Sequence, residues 1–459
     1  MIRTEGIPVG EKTSELYRIT VNGIGVQAYP ARVTGVCRND VWDGLQTPLK
    51  YTEEAAFVHL EADEPLAFYV RPLVRAFTEC VVRPRSAGIA AEIGRDGVRF
   101  TIEKAGQYVV EFGDDHNVLH IFIDPPAAFS KDPKDYTRYF GAGVHHVGKI
   151  VTEPGDKIYI DGGAVVYGSI YGNGVRDVTV CGYGILDGSW EERKNEKCYE
   201  DDTTGCIKFY RSENVRISGI VLRDSAVWAL NAFDCEHFHV DRVKLIGMWR
   251  RNTDGFDICS SRHVALENSF FRDYDDCIVV KGVPGYNYAN VFDIKVKKCV
   301  VWCDWGRGLE IGAETVADEM RDIVFEDCDV IHGAHTALDV QNCDRATVSG
   351  LVFDDIRVEY AKYRDEPPYL IGAVVINGYY GIHFDDPNVV GRNDGIIFKN
   401  ISVYNETENK LRVLFAGFDG EHMTQNVTVE NLTVNGEKAK EGVHYELCTN
   451  EFTKNIRFR

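Results

Sequence analysis

At 459 residues the chain is too long for one ordinary core, so two domains or one elongated repeat are expected; 44% hydrophobic and 27% charged is ordinary for an ordered protein. The formal net charge of −20 argues against nucleic acid or an anionic membrane as partner, and more mildly against a polyanionic substrate unless a local basic cleft exists. No apolar run is long enough for a transmembrane helix, and the N-terminal MIRTEGIPVGEKTSELYRIT carries no secretory-type apolar core. Thirteen cysteines without a CxxC pair fit reduced thiols, so a cytoplasmic location without metal or cofactor is expected.

From Ala55 to Asp124 short alternating runs (AFVHLEA, LAFYVRP, VRFTIEK, QYVVEF, NVLHIFID) are separated by turn signals such as GRDG and GDDHN. Regular short strands between Gly- and Asp-rich turns predict an antiparallel β-sandwich over residues 1–125. Pro125-Pro126 breaks the pattern, and 126–147 reads as a polar linker or cap. Over 148–459 a repeat takes over: VRDVTVCGYGILDG, SENVRISGIVLRDS, EHFHVDRVKLIG, SRHVALENSFFRD, and on to QNVTVENLTVNG, with centres roughly 23 to 30 residues apart. Each copy is a β-branched strand, a polar turn and another strand, and none could bury its apolar positions alone, so neighbours must stack. The fold class predicted is all-β, a sandwich followed by a right-handed parallel β-helix. A β-prism or a propeller is the alternative, although propeller blades need about 40 residues. Cysteines inside these strands read as small stacked hydrophobes.

Two acidic knots stand in this repeat, Asn252-Thr253-Asp254 and Asp275-Asp276. One turn of a parallel β-helix takes about two dozen residues and turns stack at about 4.8 Å, so Asp254 should neighbour Asp275 and Asp276 one rung on. Crowded carboxylates raise one another's pKa, which suits acid–base chemistry where one holds a proton and another stays ionised. Against this, Asp and Asn are common turn residues, and Asp-Asp pairs also occur at 114–115, 201–202, 354–355 and 385–386.

The run NTDGFDI, then YDDCIVVKG, then GRGLEIGAE resembles the signature of the polygalacturonase family, glycoside hydrolase family 28. The resemblance implies Asp275 as general acid, Asp254 and Asp276 as the side that holds and activates water with inversion, and Asn252 as an orienting or substrate-contacting residue. Where the family has GHG this chain has Gly306-Arg307-Gly308, and where RIK is expected it has Ala337-Leu338-Asp339-Val340-Gln341. Those losses remove the cations that pair with a uronate carboxylate, so a neutral or weakly charged glycan is expected instead. A sandwich before a β-helix is also similar to the dextranase and isopullulanase group, family 49, whose substrates are neutral glucans.

Arg307, Glu310, Lys281, Trp249 and Trp305 are the further substrate-binding candidates, with Glu314, Trp228 and the Tyr379-Tyr380 insertion (363–394) beside them. Lys281 reads equally as a charge partner for Asp276 or Asp257, and His332 or His335 as a substitute for the missing histidine. A pectin hydrolase of the polygalacturonase type, a polysaccharide lyase and a non-catalytic carbohydrate-binding coil are the rival readings. An exo-acting enzyme on imported oligosaccharides is expected, its cleft walled by the insertion and the sandwich. An oligosaccharide or polysaccharide is the partner expected; nothing in the sequence indicates an oligomeric state.

Overall fold

The computed structural model describes the chain apart from residues 1, 36–46, 127–128, 194–202, 290 and 361–366. The N-terminal region forms two packed sheets of mainly antiparallel strands. One contains the strands Tyr17–Val21, Leu66–Pro72 and Val98–Ile102, and the other Thr52–Ala62, Gly106–Glu111 and Leu119–Asp124. Between them lie Val21, Phe68, Val70 and Val98 against Val58, Leu60, Val110 and Ile121. Alternation is clean in Val98–Ile102, whose outer face meets solvent, but Leu119–Asp124 is buried throughout. The reason is a third layer: the second face of that sheet (Phe57, Val109, Phe122) packs on Val165, Ile185, Val221, Ile246, Phe270 and Trp302 of the following domain.

That domain is one continuous sheet of 31 strands, paired in parallel from each turn to the next except for one short terminal hairpin: a parallel β-helix. It begins with Arg138–Phe140, inside the stretch read from sequence as a linker, because Tyr139 stacks on Tyr159 one rung on at 5.1 Å. The lumen is filled by the apolar positions of every copy, in columns such as Phe325–Phe353–Phe398 with 4.9 Å between successive rings. Asn, Asp and His take most of the left-handed corners held by residues other than glycine, with Arg242, Ser260 and Lys298 among the exceptions. Asn214, His237, His263, Asp293 and Asp322 form one such column, with φ between 53° and 56°. The eleven described cysteines form no disulfide with one another, and nine are buried.

Candidate active site

The two acidic knots stand one rung apart, 22 residues: Phe256 pairs with Ile278, which pairs in turn with Leu309 after a longer rung of 31 residues. Two positions earlier in each strand this register aligns Asp254, Asp276 and Arg307, held by backbone bonds from Gly255 N–H to the Asp276 carbonyl (2.8 Å) and from Cys277 N–H to the Arg307 carbonyl (2.9 Å). Asp275 sits one residue back, its N–H reaching the Thr253 carbonyl at 3.3 Å. By contrast, the Asp354-Asp355 pair is a corner: Asp355 has φ 53° and Asp354 pairs with Lys399. The pair at 201–202 lies outside the described residues.

Burial and crowding set the electrostatics. Burial pushes the Asp254 carboxyl well up, against the pull of Lys281, whose Nζ donates to Asp254 Oδ2 at 2.9 Å and to Asp257 Oδ1 at 2.8 Å. Asp257 is pushed up to about 7, again by burial, with Lys281 opposing. Glu314 stands 3.9 Å from the same ammonium, and the Trp228 ring lies 3.8 Å from it. Asp275 rises to about 8, through burial first and the neighbouring Asp276 charge second. Its Oδ2 accepts from Asn252 Nδ2 at 3.1 Å. Asp276 Oδ1 accepts the Arg307 backbone N–H at 3.0 Å, with Arg307 Nη1 at 3.6 Å.

Gly306 explains one glycine of the GRG run. A Cβ there would stand 2.4 Å from Asp276 Oδ1 and 2.5 Å from Asp275 Oδ1, so only a bare Cα lets the next rung close over both acids.

Arg307 is buried among its own chain's carboxylates. Its Nε lies 3.7 Å from Glu310 Oε1 and 3.5 Å from Asp339 Oδ2, and its Nη2 donates to the Tyr379 hydroxyl at 3.1 Å. Asp339, which also accepts from Gln341, is raised by burial, and so is Glu310, whose two oxygens meet no hydrogen-bond donor. Among the described residues, seven carboxyl groups (Asp254, Asp257, Asp275, Asp276, Glu310, Glu314, Asp339) thus gather around two cations, Lys281 and Arg307. No group of His, Cys, Asp and Glu among these residues is arranged to hold a metal ion.

Asp254, Asp275, Asp276, Asn252, Lys281, Arg307 and Glu310 therefore come together. Trp305 borders them beside Gly306, half-buried and stacked on Tyr274 at 5.9 Å. Trp249 does not join them. Its buried ring lies 4.8 Å from Arg250 and 5.6 Å from Arg32 of the sandwich, and its Nε1 donates to Asp224. His332 turns to the sandwich, where it bonds Glu111 at 2.6 Å, and so replaces no catalytic histidine. His335 follows Gly306 on the next rung, its N–H on the Gly306 carbonyl. In the Tyr379-Tyr380 insertion, residues 363–366 lie outside the described residues, while Tyr379 touches Arg307. Sequence reading missed Arg193, which sits in a segment without repeat signal and donates to Asn252. The sandwich also bounds a cleft of about 690 Å³ against the coil, lined by Lys104, Arg242, Lys298 and Arg357 and by none of the seven acids.

A family model described as glycosyl hydrolases family 28 matches residues 163–451. The chain belongs to that family. Over 168 residues, 34% of this chain and 36% of the relative, it is 25% identical to a probable polygalacturonase of Arabidopsis thaliana. Over 208 residues (42% and 48%) it is 24% identical to a probable endo-xylogalacturonan hydrolase A of Aspergillus fumigatus. The matched part of the chain spans between about a third and a half of these two curated relatives. Among solved structures, Dex49A from Penicillium minioluteum is similar over 100% of this chain and 90% of that one, at 13% identity and TM-score 0.60. That likeness is one of fold, and it extends through the N-terminal sandwich as well as the coil.

Proposed function

We propose that this family 28 member hydrolyses a glycosidic bond in a neutral or weakly charged oligosaccharide or polysaccharide, by aspartate acid–base catalysis with the inversion that its family resemblance implies. Asp275 holds a proton near neutrality and gives it to the glycosidic oxygen as the carbon–oxygen bond breaks. Asp254 and Asp276 hold the attacking water, and its proton passes to Asp276. Proton donation and uptake balance, and the leaving sugar departs as an alcohol.

One observation carries the choice of substrate. Arg307, the cation that replaces the family histidine, is already surrounded by Asp276, Glu310 and Asp339. A uronate carboxylate brought there would add a further negative charge to an excess of carboxylates and would compete with three of them for one guanidinium. Hydroxyl groups carry no such penalty. The names of the curated relatives favour the rival reading, a pectic substrate.

Contacts to the site from outside the strand repeat, by Arg193 and by Tyr379, support action at a chain end. Described cysteines that form no disulfide with one another support a reducing compartment. Sugar release from neutral α-glucans, fructans and galactosides, set beside galacturonate oligomers, tests the reading with Asp275→Asn as the blank. Cleavage of a neutral glycan by the wild type alone is expected; cleavage of galacturonate oligomers alone would overturn the substrate assignment.

A further inference from the structure

We infer that Arg193 is a positioning residue for the general acid: acting through Asn252, it decides which oxygen of Asp275 carries the transferable proton. The inference rests on the hydrolase reading above for its meaning in catalysis, but not for its test.

Arg193 lies between the strands Ile185–Asp187 and Ile207–Tyr210 and is only 6% exposed. Two residues before it, Glu191 accepts the N–H groups of Thr204 (2.8 Å) and Gly205 (3.1 Å). Arg193 Nη1 donates to the Arg251 carbonyl at 3.0 Å and to Asn252 Oδ1 at 2.9 Å. A guanidinium has donors and no acceptor, whereas an amide has one end of each kind. Arg193 therefore claims the amide oxygen and turns the NH2 of Asn252 toward Asp275, where it meets Oδ2 at 3.1 Å. The left-handed backbone of Asn252 (φ 54°) holds that side chain between the two.

With Oδ2 occupied by a donor, the proton of Asp275 belongs on Oδ1. That oxygen lies over Gly306, beside Asp276 Oδ1, on the side where the base carboxylates stand. The charged groups facing Asp275 are Asp276 beside it, Lys281 on its own rung, Asp254 and Asp257 from the rung before, and Arg307 from the strand above. None of them orients the Asn252 amide. Burial and Asp276 keep Asp275 protonated near neutrality, so the donor on Oδ2 works against that pull and trims it.

The test reads the Asp275 carboxyl directly, by infrared difference titration against matched Asp275→Asn proteins, in the wild type, Arg193→Ala, Arg193→Lys and Asn252→Asp. Loss of the Asn252 donor removes a bond that favours ionised Asp275, so its midpoint should rise by about one unit in Arg193→Ala. It should rise further in Asn252→Asp, which keeps a partner for Arg193 and adds a like charge. Arg193→Lys, still a donor to the amide oxygen, should stay near wild type. On a cleaved glycan, Arg193→Ala should lower kcat by roughly 10–100-fold with KM little changed, as loss of an outer partner does, and move the alkaline limb of the pH profile upward with the carboxyl. A midpoint that does not move in Arg193→Ala or Asn252→Asp would overturn the inference. A wild type inert toward every glycan would sink the hydrolase reading instead, while the titration still decides this one.

Discussion

Two regions of the molecule bury charge, and they treat it in opposite ways. Where the sandwich meets the coil, cations and anions are matched: Lys244 and His59 both contact Asp124, His332 and Arg83 contact Glu111, and Arg223 contacts Asp187 and Glu11. There the partners outweigh burial, and Asp124 and Glu111 are held below the ordinary carboxylate range. Glu359, which shares Arg83 with Glu111, is the exception and stays raised by burial. Around Asp275 the count is unbalanced, and burial raises one carboxyl after another. Matched charge fastens two domains together; unmatched charge stores protons where chemistry can use them.

The largest effect expected is on catalysis. Asp275→Asn should lower kcat on the cleaved glycan by about 10²–10⁴-fold, the range of a lost general acid, in a steady-state assay that leaves KM similar. At the interface the opposite signature is expected. Lys244→Met leaves Asp124 buried without its ammonium and should cost about 3–5 kcal/mol of stability in chemical denaturation, with kcat at low temperature unchanged. A loss of kcat equal to that of Asp275→Asn would erase the distinction between the regions. Gly306→Ala blurs the comparison by adding bulk without charge. Displaced by a Cβ that would meet both acids, they should lose about 10²-fold in kcat while the melting temperature shifts little. The smallest effect is a pH dependence. Asp124 and Glu111 have depressed folded pKa values, so their stabilisation is complete above the unfolded carboxylate range and fades as pH falls through the folded values. Thermal melts should show Lys244→Met losing its deficit against wild type as Asp124 protonates on acidification.

Much of this was legible in the chain. The β-helix followed from strand repeats that cannot bury themselves alone, and the meeting of Asp254 with Asp276 from a spacing equal to one rung. Lys281 was legible as a partner of Asp257, because the two stand on adjacent rungs. Trp249 stands beside the acids in sequence, but three residues after its strand ends its ring meets Arg32 of the sandwich, a contact that no local pattern encodes. His332 misled for the same reason: it occupies the face that carries the domain contact, whose register with the sandwich no local pattern encodes. Arg193 gave no signal, because its value depends on how the Asn252 amide turns, 59 residues away.

That unmatched buried carboxylates mark the working site is tested best at Asp275. Its folded pKa of about 8 against an ordinary value of 3.8 means the folded state keeps a proton that the unfolded chain releases, so this group costs stability increasingly as pH rises between those values. Thermal melts of wild type and Asp275→Asn from about pH 4 to about pH 9 should show the inactive variant melting higher, by a margin that widens up to about pH 8 and is constant beyond it. A variant that melts equal to or below wild type across that range would contradict the claim.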